Sequence, residues 1–212
     1  MANISYTAFT PDIIPVVPGC PDFTIESAVR DAAIEFCAKS EVHRVDLDPA
    51  TVVAGQYEYE FETPKQTTTH SVKSVTLDGC TLKAKTRKAL EQMLPNWRTE
   101  RSTPLYYTTV SPRLLYIAPV PQNKVSLGLR IQVALKPTRI STVIDGDIFE
   151  DYAETIRYCA IAKLLRIPRK DWTDPRSSQE YYALYQMGLE EARIRAEQSD
   201  LKAETIVQYG GL

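Results

Sequence analysis

The sequence predicts an α+β protein: a discontinuous α-helical bundle with an inserted antiparallel β domain, an extended N-terminal arm and a C-terminal tail. Three observations carry this. Apolar residues between Ile25 and Cys37 recur at helical spacing, the middle of the chain alternates at strand spacing, and two long helical patterns follow residue 145. Strands bracketed by helices are the pattern of an α+β fold, in which the first and last helices are expected to pack together. The expected divisions are an arm over residues 1–23, a bundle from 24–40 and 145–198, a β-rich insert over 41–144, and a tail over 199–212.

The arm is read from its prolines. Pro11, Pro15, Pro18 and Pro21 crowd it and favour an extended chain without regular hydrogen bonds. Ile13, Ile14, Val16 and Val17 lie within it, and a purely solvated linker does not usually carry such residues, so the arm is expected to lie on a surface. Thr24 is the expected N-cap of the first helix, whose face is Ile25, Ala28, Val29, Ala32, Ala33, Phe36 and Cys37.

The β-rich middle begins with Tyr57, Tyr59 and Phe61 alternating with Glu58, Glu60 and Glu62, a half-buried strand. Val75 and Leu77 run into Asp78-Gly79, a hairpin signal. Arg87 to Leu94 reads as a short helix ended by Pro95, and Leu114 to Ile117 as a strand closed by Pro119 and Pro121. Leu127, Leu129, Ile131, Val133 and Leu135 alternate with Gly128, Arg130, Gln132, Ala134 and Lys136, the clearest strand.

The last two helices are joined by a proline-punctuated elbow. Asp147 and Glu150 form an expected capping box, and Tyr152, Ile156, Cys159, Ala160 and Leu164 share one face. Pro168 stops this helix, because proline disfavours the α conformation in the residue before it. Asp174 caps the next helix, with Pro175 at its first position, where a missing N–H costs nothing. Tyr182, Tyr185, Leu189, Ala192 and Ala196 then form its apolar face. Arg166, Arg169 and Lys170 fall near the end of the first of these helices and complement its dipole. The tail is polar at first and then carries Ile206, Val207, Tyr209 and Leu212.

Composition narrows the function. Hydrophobic residues are 43% and charged residues 25%, and the net charge of -2 supplies no global basic field for nucleic acid. No apolar run reaches transmembrane length, and the N-terminus lacks a signal-peptide pattern. Cys20, Cys37, Cys80 and Cys159 show neither metal-ligand nor redox-pair spacing. Cys37 and Cys159 fall on apolar helix faces and read as buried thiols in a reducing compartment.

No constellation for catalysis emerges. His43 and His70 stand outside any metal or triad motif and read as exposed structural histidines, His70 in a threonine-rich loop. The row Glu58, Glu60, Glu62 has oxygens that could ligate a divalent cation, but a charge row at alternate strand positions is more often the wet face. Asp145, Asp147, Glu150 and Asp151 resemble part of a calcium loop without its spacing or distal glutamate. Phosphate-cradling glycine loops and nucleophile elbows are missing from the sequence. The expectation is a non-enzyme with no catalytic residue, metal ligand or cofactor. The pairs Tyr106-Tyr107 and Tyr181-Tyr182 suit core packing or a partner surface.

Several stretches together resemble the head-to-tail adaptor (connector) proteins of short-tailed bacteriophages. These are Val16-Val17-Pro18-Gly19-Cys20-Pro21, the helix from Ala28 to Cys37, Tyr57-Glu58-Tyr59, Val75 to Gly79, and Leu115 to Pro121. The likeness is densest in Ala134-Leu135-Lys136-Pro137-Thr138 and in the elbow with Trp172, Asp174 and Pro175. It implies a virion structural protein that assembles as a dodecameric ring below the portal protein. Such a ring joins the head to tail or nozzle proteins and lines the channel through which double-stranded DNA passes without specific binding. It also implies a place in the virion neck, reached by assembly in the host cytoplasm. The expected partner-binding residues are Ile13, Ile14, Val16 and Val17 of the arm and Ile206, Val207, Tyr209 and Leu212 of the tail. A tail-tube or tail-terminator subunit is the alternative, and a virion-associated hydrolase a more distant one.

Overall fold

The computed structural model describes residues 3–204. Along the chain come β1 (Asn3–Ser5), a 3-10 turn (Tyr6–Phe9), α1 (Thr10–Ile13) and α2 (Asp22–Ser40). Next are β2 (Arg44–Asp46), β3 (Ala50–Val52), β4 (Glu58–Glu60), β5 (Thr67–Leu77), β6 (Cys80–Thr81) and β7 (Lys83–Ala84). They are followed by α3 (Arg87–Met93), β8 (Arg101–Ser102), β9 (Tyr106–Ser111), β10 (Leu114–Ala118), β11 (Val120–Pro121) and β12 (Val125–Pro137). The series closes with β13 (Val143–Asp145), α4 (Gly146–Leu165) and α5 (Pro175–Glu204). The fold is mixed α and β. It divides into two compact units, one of Met1–His43 with Lys136–Leu212 and one of Arg44–Leu135.

In the first unit α2, α4 and α5 share one core. Ile25, Val29 and Phe36 meet Ile156, Cys159 and Leu164, and Tyr185, Leu189 and Ala192 close it. The helical spacing of these residues is what makes one buried stripe per helix. Gly188 lets α5 approach α4 closely: a Cβ there would lie 2.4 Å from Thr155 Oγ1. At the elbow, Asp174 Oδ1 accepts from the backbone N–H groups of Arg176 and Ser177 at 3.0 and 3.1 Å, satisfying the start of α5. The Thr173 hydroxyl donates to the Ile167 carbonyl at 2.6 Å and accepts from Lys170 N–H at 2.9 Å, and Ser178 Oγ donates to the Ala162 carbonyl at 2.7 Å.

Three local expectations shift. α2 begins two residues before Thr24, because the Pro21 carbonyl accepts from both Thr24 and Ile25 N–H and sets the first turn. α4 is capped by Asp145, whose carboxylate accepts from Asp147 N–H at 3.0 Å, so Asp147 is a first-turn acid and not the cap. α5 runs to Glu204, six residues beyond the expected bundle boundary, since Ser199 to Glu204 holds no proline or glycine to stop it.

The N-terminal segment departs most. It is not an extended arm but β1, a 3-10 turn and α1, with Asn3 paired to Asp145 and Ser5 to Val143. Tyr6, Phe9, Ile13 and Val17 recur at helical spacing and are buried in the first unit's core. Pro11 lies in the first turn of α1, where proline is tolerated. Arg157 Nη1 reaches Asp12 Oδ2 at 3.1 Å and ties α1 to α4.

The second unit holds a four-stranded sheet of order β4-β10-β9-β7 and a larger one of order β2-β12-β5-β6, with β3 also on β12. Most pairs are antiparallel, but β7–β9 and β8–β11 are parallel. Val75, Leu115, Ile117, Leu129, Val133 and Leu135 fill the core. Leu77 pairs with Cys80 across Asp78-Gly79, both with positive φ (50° and 79°), a type I′ turn as the dipeptide suggests. His70 lies on β5 and not in a loop. Leu127 breaks the alternation of its strand: at φ 50° it turns outward, 64% exposed, where the β12–β3 register shifts. A bulge adds a residue and reverses the side chain's face, which alternation alone cannot reveal.

Candidate partner-binding surfaces

The eight expected partner residues fall into two groups. Ile13 and Val17 are fully buried among Phe9, Ile25 and the α4 face, so the protein's own core consumes them. Burying each is worth about 1.5–3 kcal/mol of folding free energy, which explains why a helical turn replaces an extended arm. Ile14 stays exposed and Val16 is half-buried against the same core. Ile206, Val207, Tyr209 and Leu212 lie outside the described residues.

Other apolar side chains stand in solvent without having been singled out. Phe23, Ile140 and Met187 are 75%, 85% and 70% exposed. The helical phase of Met187 could have found it, since it falls off the Tyr185–Leu189 stripe. Phe23 and Ile140, at a helix start and in a loop, carry no such signal. The tyrosine pairs resolve toward packing: Tyr107 is buried, Tyr106 lines a small cluster with Trp97, and Tyr181 and Tyr182 pack on the helical core.

The polar candidates occupy ordinary positions. Glu58 and Glu60 are exposed on either side of buried Tyr59, and Glu62 is exposed beyond buried Phe61, the wet face of a half-buried strand. Among the described residues no group of three or more His, Cys, Asp or Glu could hold a metal ion. His43 is half-buried rather than exposed. Burial lowers its pKa, against the pull of Asp145 and Asp147. His70 is exposed, as expected. No helix of the described residues is long and apolar enough to cross a membrane.

A cleft of about 560 Å³ opens beside β9 in the second unit. Val72, Ala84 and Val110 give it apolar walls, and Lys85 and Arg87 contribute cationic side chains. It exists because the parallel ladder ends early. Lys83 N–H donates to the Leu105 carbonyl and Lys85 N–H to the Tyr107 carbonyl, both at 2.9 Å. The chain then turns away: Thr86 caps α3, its hydroxyl accepting from Ala89 N–H at 3.2 Å. β9 continues to Ser111, so among the described residues its last four have no strand on that side.

No curated protein matches the chain significantly. The family model described as SU10 adaptor protein matches residues 9–207, from the turn before α1 across both compact units. On that extent of agreement, the chain belongs to the SU10 adaptor protein family, a family of phage adaptor proteins.

Proposed function

We propose that the protein is the head-to-tail connector of a bacteriophage virion, forming a dodecameric ring beneath the portal that joins the capsid to tail or nozzle proteins and lines the DNA channel. The observation that carries this reading is the family match over residues 9–207. The molecule suits the role. It has a well-packed helical scaffold, exposed apolar side chains such as Phe23 and Ile140, and a near-neutral charge of -2. A channel lining should not grip DNA, and phosphate affinity grows with each Lys or Arg contact. The role needs no enzyme active site.

Ile14 and Val16 at one end of the chain, and Ile206, Val207, Tyr209 and Leu212 at the other, are the residues we assign to partners, with Ile13 and Val17 anchoring the turn that carries Ile14 and Val16. The protein would assemble onto the portal in the host cytoplasm and remain in the virion neck. Electron microscopy of particles bearing a labelled copy tests this. Density for a twelve-fold ring between portal and tail is expected; label along the tail tube would refute the connector role. In solution before assembly the protein is expected to be a monomer by light scattering at micromolar concentration. A stable ring of the purified protein would show that no template is needed.

A further inference from the structure

We propose that the open edge of β9 is the receptor for residues 205–212 of a second copy, which add there as a short strand. The proposal rests on the ring reading above, since it needs neighbouring copies, and it names the surface that the tail occupies.

Two independent features meet in it. The first is the edge. Thr108, Thr109, Val110 and Ser111 continue β9 past the last β7 rung, in a stretch without proline or charge. Natural sheets usually blunt such an edge with charges, proline or a covering element. Within this stretch the ladder is interrupted by the extra residue Val110, which lies between the Leu115–Thr109 and Leu114–Ser111 pairs and is 44% exposed. The adjoining cleft leaves room for a chain against Val72 and Ala84.

The second feature is the segment itself. Thr205-Ile206-Val207-Gln208-Tyr209 follows directly on a 30-residue helix and holds β-branched and aromatic residues, with no charge and no proline. That composition is suited to a pleated, half-buried surface. As a strand it would set Ile206 and Gln208 on one face and Val207 and Tyr209 on the other. One face would then meet the cleft's apolar wall. Eight residues span at most about 27 Å when extended, enough for two or three rungs and a lead-in from the helix. Strand addition of this kind draws affinity from main-chain hydrogen bonds and specificity from alternate side chains.

The experiment is amide hydrogen exchange on the full-length protein, read at Thr109, Val110 and Ser111. In portal-bound wild type these amides should exchange at least tenfold more slowly than in the free monomer. Val207→Pro, which removes a ladder donor, should abolish that protection. A synthetic peptide spanning residues 204–212, added to the Val207→Pro protein, should restore it. Protection that persists in Val207→Pro would show that another partner covers the edge, and no protection from the peptide would refute the site. The peptide arm needs no ring, so failure of assembly alone overturns the connector reading and not this one. Finally, Val110→Cys and Val207→Cys placed on differently tagged copies should give a disulfide between copies. A bond found only within one chain carrying both changes would overturn the second-copy assignment.

Discussion

Glu35 on α2 accepts a hydrogen bond from Lys163 on α4 at 2.7 Å, and a second from Lys39 on its own helix at 2.6 Å. Burial opposes the Glu35 charge, but the two lysine bonds outweigh it and hold the carboxyl below its ordinary range. Burial likewise opposes the Lys163 charge, and Glu35 overcomes it, so that pKa is raised; Lys39 is raised chiefly by its bond to Glu35. A lowered carboxyl stabilises the fold above its unfolded pKa and loses that contribution as pH falls through its folded value. Raised lysines contribute below their unfolded pKa and lose it as pH rises through their folded values.

Glu35→Gln should therefore lower stability at pH 7 by about 1–2 kcal/mol, between the values for exposed and buried pairs, because Lys163 keeps 38% of its side chain in water. Urea denaturation at several pH values checks this. The gap between variant and wild type should narrow below about pH 4, near the ordinary carboxylate range. A gap that widened there would mean Glu35 is not the titrating partner.

Gly188→Ala should destabilise, by about 1–3 kcal/mol as for overpacked cores, although the same change in an open helix stabilises by about 1 kcal/mol. The added Cβ would meet Thr155 Oγ1 at 2.4 Å and Cγ2 at 2.9 Å. Adding Thr155→Ala should recover most of the loss. Thermal unfolding of the three proteins decides it, and a stabilised Gly188→Ala would show that α4 and α5 are farther apart than described.

What the sequence made legible is what regular periodicity encodes. The faces of α2, α4 and α5, the Asp78-Gly79 turn, the Asp174 cap and the Glu58–Tyr59–Glu60 alternation all follow from local rules. The N-terminal segment was hidden because its prolines argue for an extended chain. The stripe Tyr6, Phe9, Ile13, Val17 spans a 3-10 turn and a four-residue helix, too short for either to register alone. Leu127 was hidden by a bulge, and the Gly188–Thr155 contact by its distance along the chain. The candidate surfaces were legible only in part. The edge of β9 arises from a parallel pairing with β7 that no short-range pattern announces.

Assays for hydrolase and nuclease activity, with and without divalent cations, should show no turnover above background. Glu58 and Glu60 point to water from a strand whose other face is packed, Glu62 is exposed just beyond it, and among the described residues no group of three or more His, Cys, Asp or Glu could hold a metal ion. Turnover that disappears in a Glu58→Gln, Glu60→Gln, Glu62→Gln triple variant would refute this.

Thiol labelling at pH 8 should proceed in a fixed order. Cys80 is exposed at the β5–β6 hairpin and should react first, whereas Cys20 is buried and its pKa is raised by burial. Cys37 and Cys159 have no exposed surface, and burial pushes each up to about 12, with Asp145 adding to Cys37 and Glu35 to Cys159. Since the thiolate is the reactive species, both should label only when the helical core opens. Glu35→Gln sharpens the test. It removes the carboxylate 4.0 Å from Cys159 Sγ and loosens the α2–α4 contact, so Cys159 should label faster. Cys37 has Asp145 and not Glu35 among its charged neighbours, so it gains only as the whole bundle opens more often. Mass spectrometry of each peptide separates the cases. Equal acceleration at Cys37 and Cys159 would mean that Glu35 supports global stability alone, and fast labelling of Cys37 in wild type would mean the α2 face is not packed as described.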